Sequence, residues 1–454
     1  MEDFVPYRTG IIECGDKNLV FFGEDYTFYF MVPLFEPFGS KREYSLKANE
    51  NGFLYGTTHD NHSIAIYIGD FDREIYGKQA IKTNLFLVEP GNLNPYPRKR
   101  NVKYDAIDFV GKKLSRVFMP HALTFIREVG KPQRIEYHSD AETYHFTSGK
   151  ISYTLTVQSL TPTSIGIKGS SVTNEDVRIR LAFNQPQTGA DLIKHIENIR
   201  ILLSFMTFRT VVEFDKVALL EKDESHPDGY CKMWDVFLKQ PLDDSRKNNM
   251  KCITFFDLGT ATENLLETIY SSVERRPSYS LGFIPESDSD VSHFDNDTIR
   301  AVCAGLECEI ACSCLQNDEE SKQIKLLAEE VKSFVSKRRK ASYPLIADDN
   351  YLRIKGDVSH WGKTATSNII ALYHLHETAM QIVCGKIQQS ITDKDIHDLV
   401  QYRNDITHGS FRVNNIKIAN TAYVLECLVY CCLLSRIGVE ESKIEELCRM
   451  KIGS

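Results

Sequence analysis

Apolar and polar residues alternate in VRIRLAF (177–183) and ISYTLTV (151–157), the period of two expected of a half-buried β-strand. NLVFFGEDYTFYFMV (18–32) and HSIAIYIGDF (62–71) are rich in aromatic and β-branched residues, with Gly and Asp between them, which predicts strands joined by turns. Further strands are expected in VVEFDKVALLE (211–221) and MKCITFFDL (250–258). Antiparallel strands of this kind bury their apolar faces in a sandwich or an open barrel. One segment breaks the pattern. ADLIKHIENIRILLSFM (190–206) carries Leu192, Ile196, Ile199, Leu203 and Met206 at helical spacing, a single helix closing a mostly β domain.

From Thr260 the period lengthens. TATENLLETIYSSVERR (260–276) reads as helix, and the polar, proline-containing stretch that follows, up to Asp297, reads as a connection. Beyond it, helices are expected at 297–316, 318–339, 366–389, 393–408, 415–436 and 440–450. Pro344, Gly356 and Gly362 predict a loop over 341–365. The expected fold class is α+β and multidomain. A β-rich, sandwich-like domain occupies 1–259, a helix and linker 260–296, and an all-α helical bundle 297–454.

A chain of 454 residues, 42% hydrophobic and 26% charged, has enough length to bury a core without metal or disulfide staples. Its net charge of -8 argues against coating nucleic acid through an overall field, while leaving room for a local basic site. The twelve cysteines contain no C-x-x-C pair. Cys303, Cys308, Cys312 and Cys314 share one apolar stretch, and Cys427, Cys431 and Cys432 share another. Free buried thiols in a reducing cytoplasm are expected. The start, MEDFVPYRTG, lacks the apolar run of a secretory signal. TAYVLECLVYCCLLSRIG (421–438), interrupted by Glu426, is expected to be a core helix and not a membrane span.

Candidate chemistry begins in LVQYRNDITHGSF (399–411). Thr392 is a suitable N-cap, Asp393 and Asp395 suit the first turn, and Ile396, Leu399 and Val400 lay out an apolar stripe whose next position is Arg403. Asn404 and His408 stand one turn apart, and Gly409 is a plausible helix stop. A guanidinium with an imidazole suits a phosphate, and the end of a helix favours a protonated imidazole. The alternative is an arginine that lays its stem along the core and pairs with an acid, beside a histidine cap. Two further Arg–His spacings, Arg116 to His121 and Arg353 to His360, fall beside a proline and in the expected loop, and are set aside.

RNDITH, with its Asn after the arginine, resembles the R-x4–6-H motif of the HEPN superfamily of ribonucleases. A helical portion behind a β-rich half is similar to the ApeA-type HEPN proteins of bacterial abortive infection. The resemblance implies an HEPN-like bundle and a cytoplasmic, metal-independent endoribonuclease toxin of antiviral defence, needing no cofactor. It implies Arg403, Asn404 and His408 as catalytic residues at a homodimer interface. His408 would act as acid–base, Arg403 would hold the phosphate, and Asn404 would orient His408 or bond the phosphate. The β-rich domain would be a regulator, answering a phage-derived trigger or a regulatory protein. RNA is the implied substrate, with a transfer RNA anticodon loop one candidate.

Two basic stretches are candidate RNA contacts. Lys337, Arg338, Arg339 and Lys340 end a helix whose apolar face would be Ile324, Leu327, Val331 and Phe334. They also suit a helix C-terminus with no ligand at all. Arg98, Lys99 and Arg100 lie among tyrosines and prolines in PYPRKRNVKYD (95–105), an RNA clamp or a solvated loop. His374 and His376 are two apart, so they should point to different sides and not share a metal. Two non-enzymatic readings stay open, an HEPN-like module binding RNA or a nucleotide, and a dimeric protein-interaction scaffold.

Overall fold

The computed structural model describes residues 9–14, 17–31, 44–75, 78–90, 102–118, 123–126, 134–137, 141–160, 163–166, 169–172, 176–209, 211–240, 251–271, 284, 294–313, 319–340, 348–359, 365–409 and 415–453. The chain divides into two compact units, Met1–Ser245 with Thr254–Tyr270, and Arg246–Ile253 with Ser271–Ser454. The first is built on β-strands and the second is helical. The expected linker helix, Ala261–Tyr270, belongs to the β unit. There Glu263 accepts the His145 backbone N–H at 2.7 Å, and Tyr270 packs on Phe146 with ring centroids 5.1 Å apart.

The β unit holds one continuous antiparallel sheet of 13 strands, with three two-stranded ribbons beside it. Between the sandwich and the open barrel that the strand pattern allowed, one continuous ladder is the arrangement of a barrel. The predicted alternation is present: Asp176–Thr188 and Ile151–Leu160 bury every second residue through their paired length, with Leu155 opposite Leu181 and Val157 opposite Ile179. The second half of the sheet curls as an open barrel does. Strands Thr27–Met31 and Leu85–Val88 are separated by four others in the ladder, yet Phe28 and Phe86 meet edge-on at 5.4 Å. The Tyr26 hydroxyl donates to the Leu238 carbonyl at 2.7 Å across the same closure. Ile12, Leu19, Phe21, Phe30, Ile64 and Ile66 fill the curl. Gly10 and Gly56 let two of its strands approach closely, since a Cβ at either would collide with a carbonyl of the other strand.

Helix Gly189–Thr207 follows directly on strand Asp176–Thr188, and its Leu192, Ile196, Ile199, Leu203 and Met206 are all buried as their spacing predicts. MKCITFFDL departs from expectation. Thr254 caps a short helix, Phe255–Leu258, through a reciprocal box with Asp257, and that local hydrogen bonding outcompetes a strand.

His195, on the helix Gly189–Thr207, is 2% exposed. Rings of Tyr153, Phe183 and Tyr270 surround it, with centroids 6.0, 4.8 and 5.9 Å away. Neither ring nitrogen has a hydrogen-bond partner among the described residues. Burial pushes its pKa down to about 4, with Asp191 opposing and Lys194 assisting. The unfolded chain titrates this group near pH 6.5, so it binds more protons than the folded chain as pH falls between the two values. Stability is therefore complete above about pH 6.5 and falls by roughly 3 kcal/mol towards pH 4. His195→Phe is expected to flatten the acid limb of the β unit's denaturant stability, and an unchanged pH slope would contradict this assignment.

The helical unit centres on Ile416–Arg436, a helix long and apolar enough to cross a membrane, of whose most apolar window 72% is buried. Packed around it are Asn296–Cys312, Asp393–Thr407, Glu377–Lys386 and Glu441–Met450. The expected helix over 366–389 is two, Ala365–Leu375 and Glu377–Lys386, separated at His376, whose ring is tied to Glu441 at 3.1 Å. His374 turns instead to Asp393 at 3.0 Å, so the two histidines do point to different sides. Part of the expected loop is also helical. Asp348–Ser359 packs on Glu319–Arg339, because burying Tyr351 and Val358 outweighs one interior Gly356. Cys303, Cys384, Cys427 and Cys432 are buried thiols outside any disulfide, and the Cys431 and Cys448 sulfurs lie 3.4 Å apart in the core.

Candidate functional site

The helix Asp393–Thr407 begins as its sequence predicts. Thr392 and Asp395 exchange backbone and side-chain hydrogen bonds in a capping box. Lys417 forms an ion pair with Asp395. Burial raises the Asp395 carboxyl, but the bonds from Lys417 and Thr392 outweigh it and hold the pKa below the ordinary value. Ile396, Leu399 and Val400 are buried, and Tyr402 and Ile406 extend the same face towards the helix end. Arg403 lies within the arc these residues span, so its stem enters the packing while its side chain stays 25% exposed.

What Arg403 faces is the chain's own helix Asn296–Cys312. Its NH2 donates to Glu307 Oε1 at 2.6 Å, and its NH1 to Asn404 Oδ1 at 3.1 Å. Of the two readings of this arginine, its pairing matches the one in which the stem lies along the core and the head meets an acid, here an intramolecular carboxylate that is itself 43% exposed. Two further contacts fasten the same helices. Tyr402 donates to Asn296 Oδ1 at 2.8 Å, and Arg300 donates to the Ile406 carbonyl at 2.6 Å, satisfying one of the last carbonyls of the site helix. Glu307 was not legible as a partner of Arg403. Its only signal was an acid inside the apolar stretch AVCAGLECEIAC (301–312).

His408 is the C-cap, its backbone N–H donating to the Asn404 carbonyl at 3.0 Å, and Gly409 follows at φ +79°, the left-handed stop its sequence position suggested. The His408 side chain is exposed and has no hydrogen-bond partner among the described residues. Asn404 turns its carbonyl oxygen to Arg403 and not to the imidazole, which places it as a brace on the guanidinium. The helix end therefore offers a guanidinium held by two acceptors, an amide and an available imidazole. That set can bind an anionic group and exchange a proton with it.

The other candidates fall differently. Lys337, Arg338, Arg339 and Lys340 are exposed at the end of Glu319–Arg339. Arg338 lies over Phe334 with 5.5 Å to the ring centre, and Arg339 over Tyr351 with 4.4 Å. The apolar face expected for that helix is corrected. Ala328 and Val335 are buried, whereas Leu327 and Phe334 are 50% and 59% exposed. The helix meets its hairpin partner at Tyr351, whose hydroxyl lies 3.2 Å from that of Ser336. Arg98, Lys99 and Arg100 lie outside the described residues. Arg116 ends a short 3-10 helix and Arg353 lies on Asp348–Ser359, so a loop no longer sets Arg353 aside; His121 and His360 lie outside the described residues. Among the described residues no three His, Cys, Asp or Glu side chains gather at metal-binding distance.

Comparison of the chain with protein-family models, with curated proteins and with solved structures returns no match.

Proposed function

We propose that this chain is a metal-independent endoribonuclease of the HEPN type, acting as an ApeA-type abortive-infection protein with the β-rich unit as its regulator. The observation that carries this reading is the exposed end of Asp393–Thr407, where a braced Arg403 and an unengaged His408 stand on one helix terminus. His408 takes the proton of a ribose 2′-hydroxyl, and the freed oxygen attacks the adjacent phosphorus. The bond from phosphorus to the 5′-oxygen breaks, that oxygen takes a proton, and a 2′,3′-cyclic phosphate remains. Arg403 stabilises the charge on the phosphorane. Lys337, Arg338, Arg339, Lys340, Arg98, Lys99 and Arg100 hold the RNA backbone.

One imidazole cannot both accept and donate within a single concerted step, so the proposal includes a homodimer in which a second copy supplies another His408. The test is RNA cleavage by the full chain in EDTA, with the termini identified and the mass followed by light scattering. Cyclic-phosphate ends from a species near twice 51.9 kDa are expected. Cleavage by a monomer alone would remove the shared site, and no cleavage of any RNA by the active preparation would remove the enzyme. A second reading has a specific observation in its favour: the Arg403–Glu307 pair is what a purely structural arginine would make. In that case the helical unit binds RNA or protein without cutting, and RNA is retained intact.

A further inference from the structure

Within the β unit, a cavity of about 550 Å³ lies between helix Gly189–Thr207 and the curled part of the sheet. Its size is that of a small-molecule site. Ile68, Leu85, Ile193, Ile196 and Leu238 supply an apolar lining, with Tyr67 beside them. Its charged lining is Lys82, Arg200 and Lys239 against the single carboxylate of Glu197. The cations come from three segments far apart in sequence, on a chain where 62 acidic residues outnumber 54 basic ones.

These cations are not consumed by neighbours. Among the described residues neither Lys82 nor Lys239 has an ion-pair partner, and both are exposed at the cavity. Arg200 spends NH1 on Glu197 at 3.1 Å and rests its guanidinium 6.0 Å from the centre of the Phe214 ring. Its other terminal nitrogen, NH2, is buried and has no acceptor among the described residues. A buried donor without an acceptor is a standing cost, which a turn of the Arg200 side chain towards an anion in the cavity would relieve. Lone surface lysines are ordinary; two unpaired lysines and a half-used guanidinium around one apolar hollow are not.

We infer that this cavity is a binding site for a small organic anion, with its apolar body against Ile68, Leu85, Ile193 and Leu238 and its phosphate, sulfonate or carboxylate group among Lys82, Arg200 and Lys239. The site gives the β-rich unit a ligand of its own. It stands independently of the ribonuclease reading, since no residue is shared.

The experiment uses the full chain and two fluorescent probes with the same ring system, anilinonaphthalene sulfonate and its uncharged counterpart phenylnaphthylamine. Saturable binding of both is expected, with the sulfonate tighter. Lys82→Ala with Lys239→Ala changes only exposed side chains and is expected to weaken the sulfonate about tenfold, leaving the uncharged probe unaffected. Arg200→Ala should weaken it at least as much, and raised salt should narrow the difference between the probes. Absence of a saturable site overturns the inference. So does sulfonate binding indifferent to the double lysine substitution, which would place the dye elsewhere, such as on exposed Leu326 and Phe334.

Discussion

His408→Ala is expected to lower the rate of RNA cleavage by roughly a thousandfold, the usual worth of a positioned acid–base group. Arg403→Ala should cost about a hundredfold or more, because it removes the cation facing the charged phosphorane. Arg403→Lys should recover little, since an ammonium cannot reproduce a fork held at once by Glu307 and Asn404. Folding is not the confounder. His408 makes no side-chain bond to any described residue, and the Arg403–Glu307 pair is 25% and 43% exposed. Pairs so open to solvent contribute less than about 1 kcal/mol. Melting temperatures should therefore stay within a few degrees of the unsubstituted chain. If His408→Ala cuts RNA at the original rate, the catalytic assignment is wrong.

The neighbouring acid on the same helix should behave in the opposite way. Glu309 is 3% exposed and accepts from Arg436 Nε at 3.0 Å and NH2 at 2.9 Å, clamping Asn296–Cys312 to the core helix Ile416–Arg436. Its carboxylate holds Arg436 above its ordinary pKa against the opposing effect of burial. Glu309→Ala would leave a largely buried guanidinium without its counter-charge, a loss of about 4 kcal/mol. In a unit of this size that corresponds to roughly 10 °C in the melting of the helical signal. Glu309→Gln keeps one acceptor and should lose less. A Glu309→Ala protein melting with the unsubstituted chain would show that the pair contributes nothing. Together with Arg403→Ala, the comparison separates an arginine that holds the fold from one that is available to a ligand.

Much of the candidate site could be read from local pattern. Thr392 and Gly409 bound a helix because their chemistry acts within one turn, and Ile396, Leu399 and Val400 define its buried face by spacing alone. The same holds for the alternation along Asp176–Thr188. Reading by composition failed where packing overrode it. Gly356 suggested a loop, but its segment is a helix because a hairpin partner buries Tyr351. MKCITFFDL looked like a strand until the Thr254–Asp257 cap was in place.

By itself, then, the sequence determined the periods, the helix ends, the β-to-helix order of the chain and the presence of an arginine and histidine at one helix terminus. Only the tertiary structure decided which charges meet. Glu307 finds Arg403 across 96 residues and Glu309 finds Arg436 across 127. The curl of the sheet brings Lys82, Arg200 and Lys239 to one cavity. Periods and caps arise from contacts within a turn or a strand pair, which neighbouring residues dictate. Pairings across the chain depend on how whole elements pack against each other, where many combinations of acids and bases are open and burial selects among them.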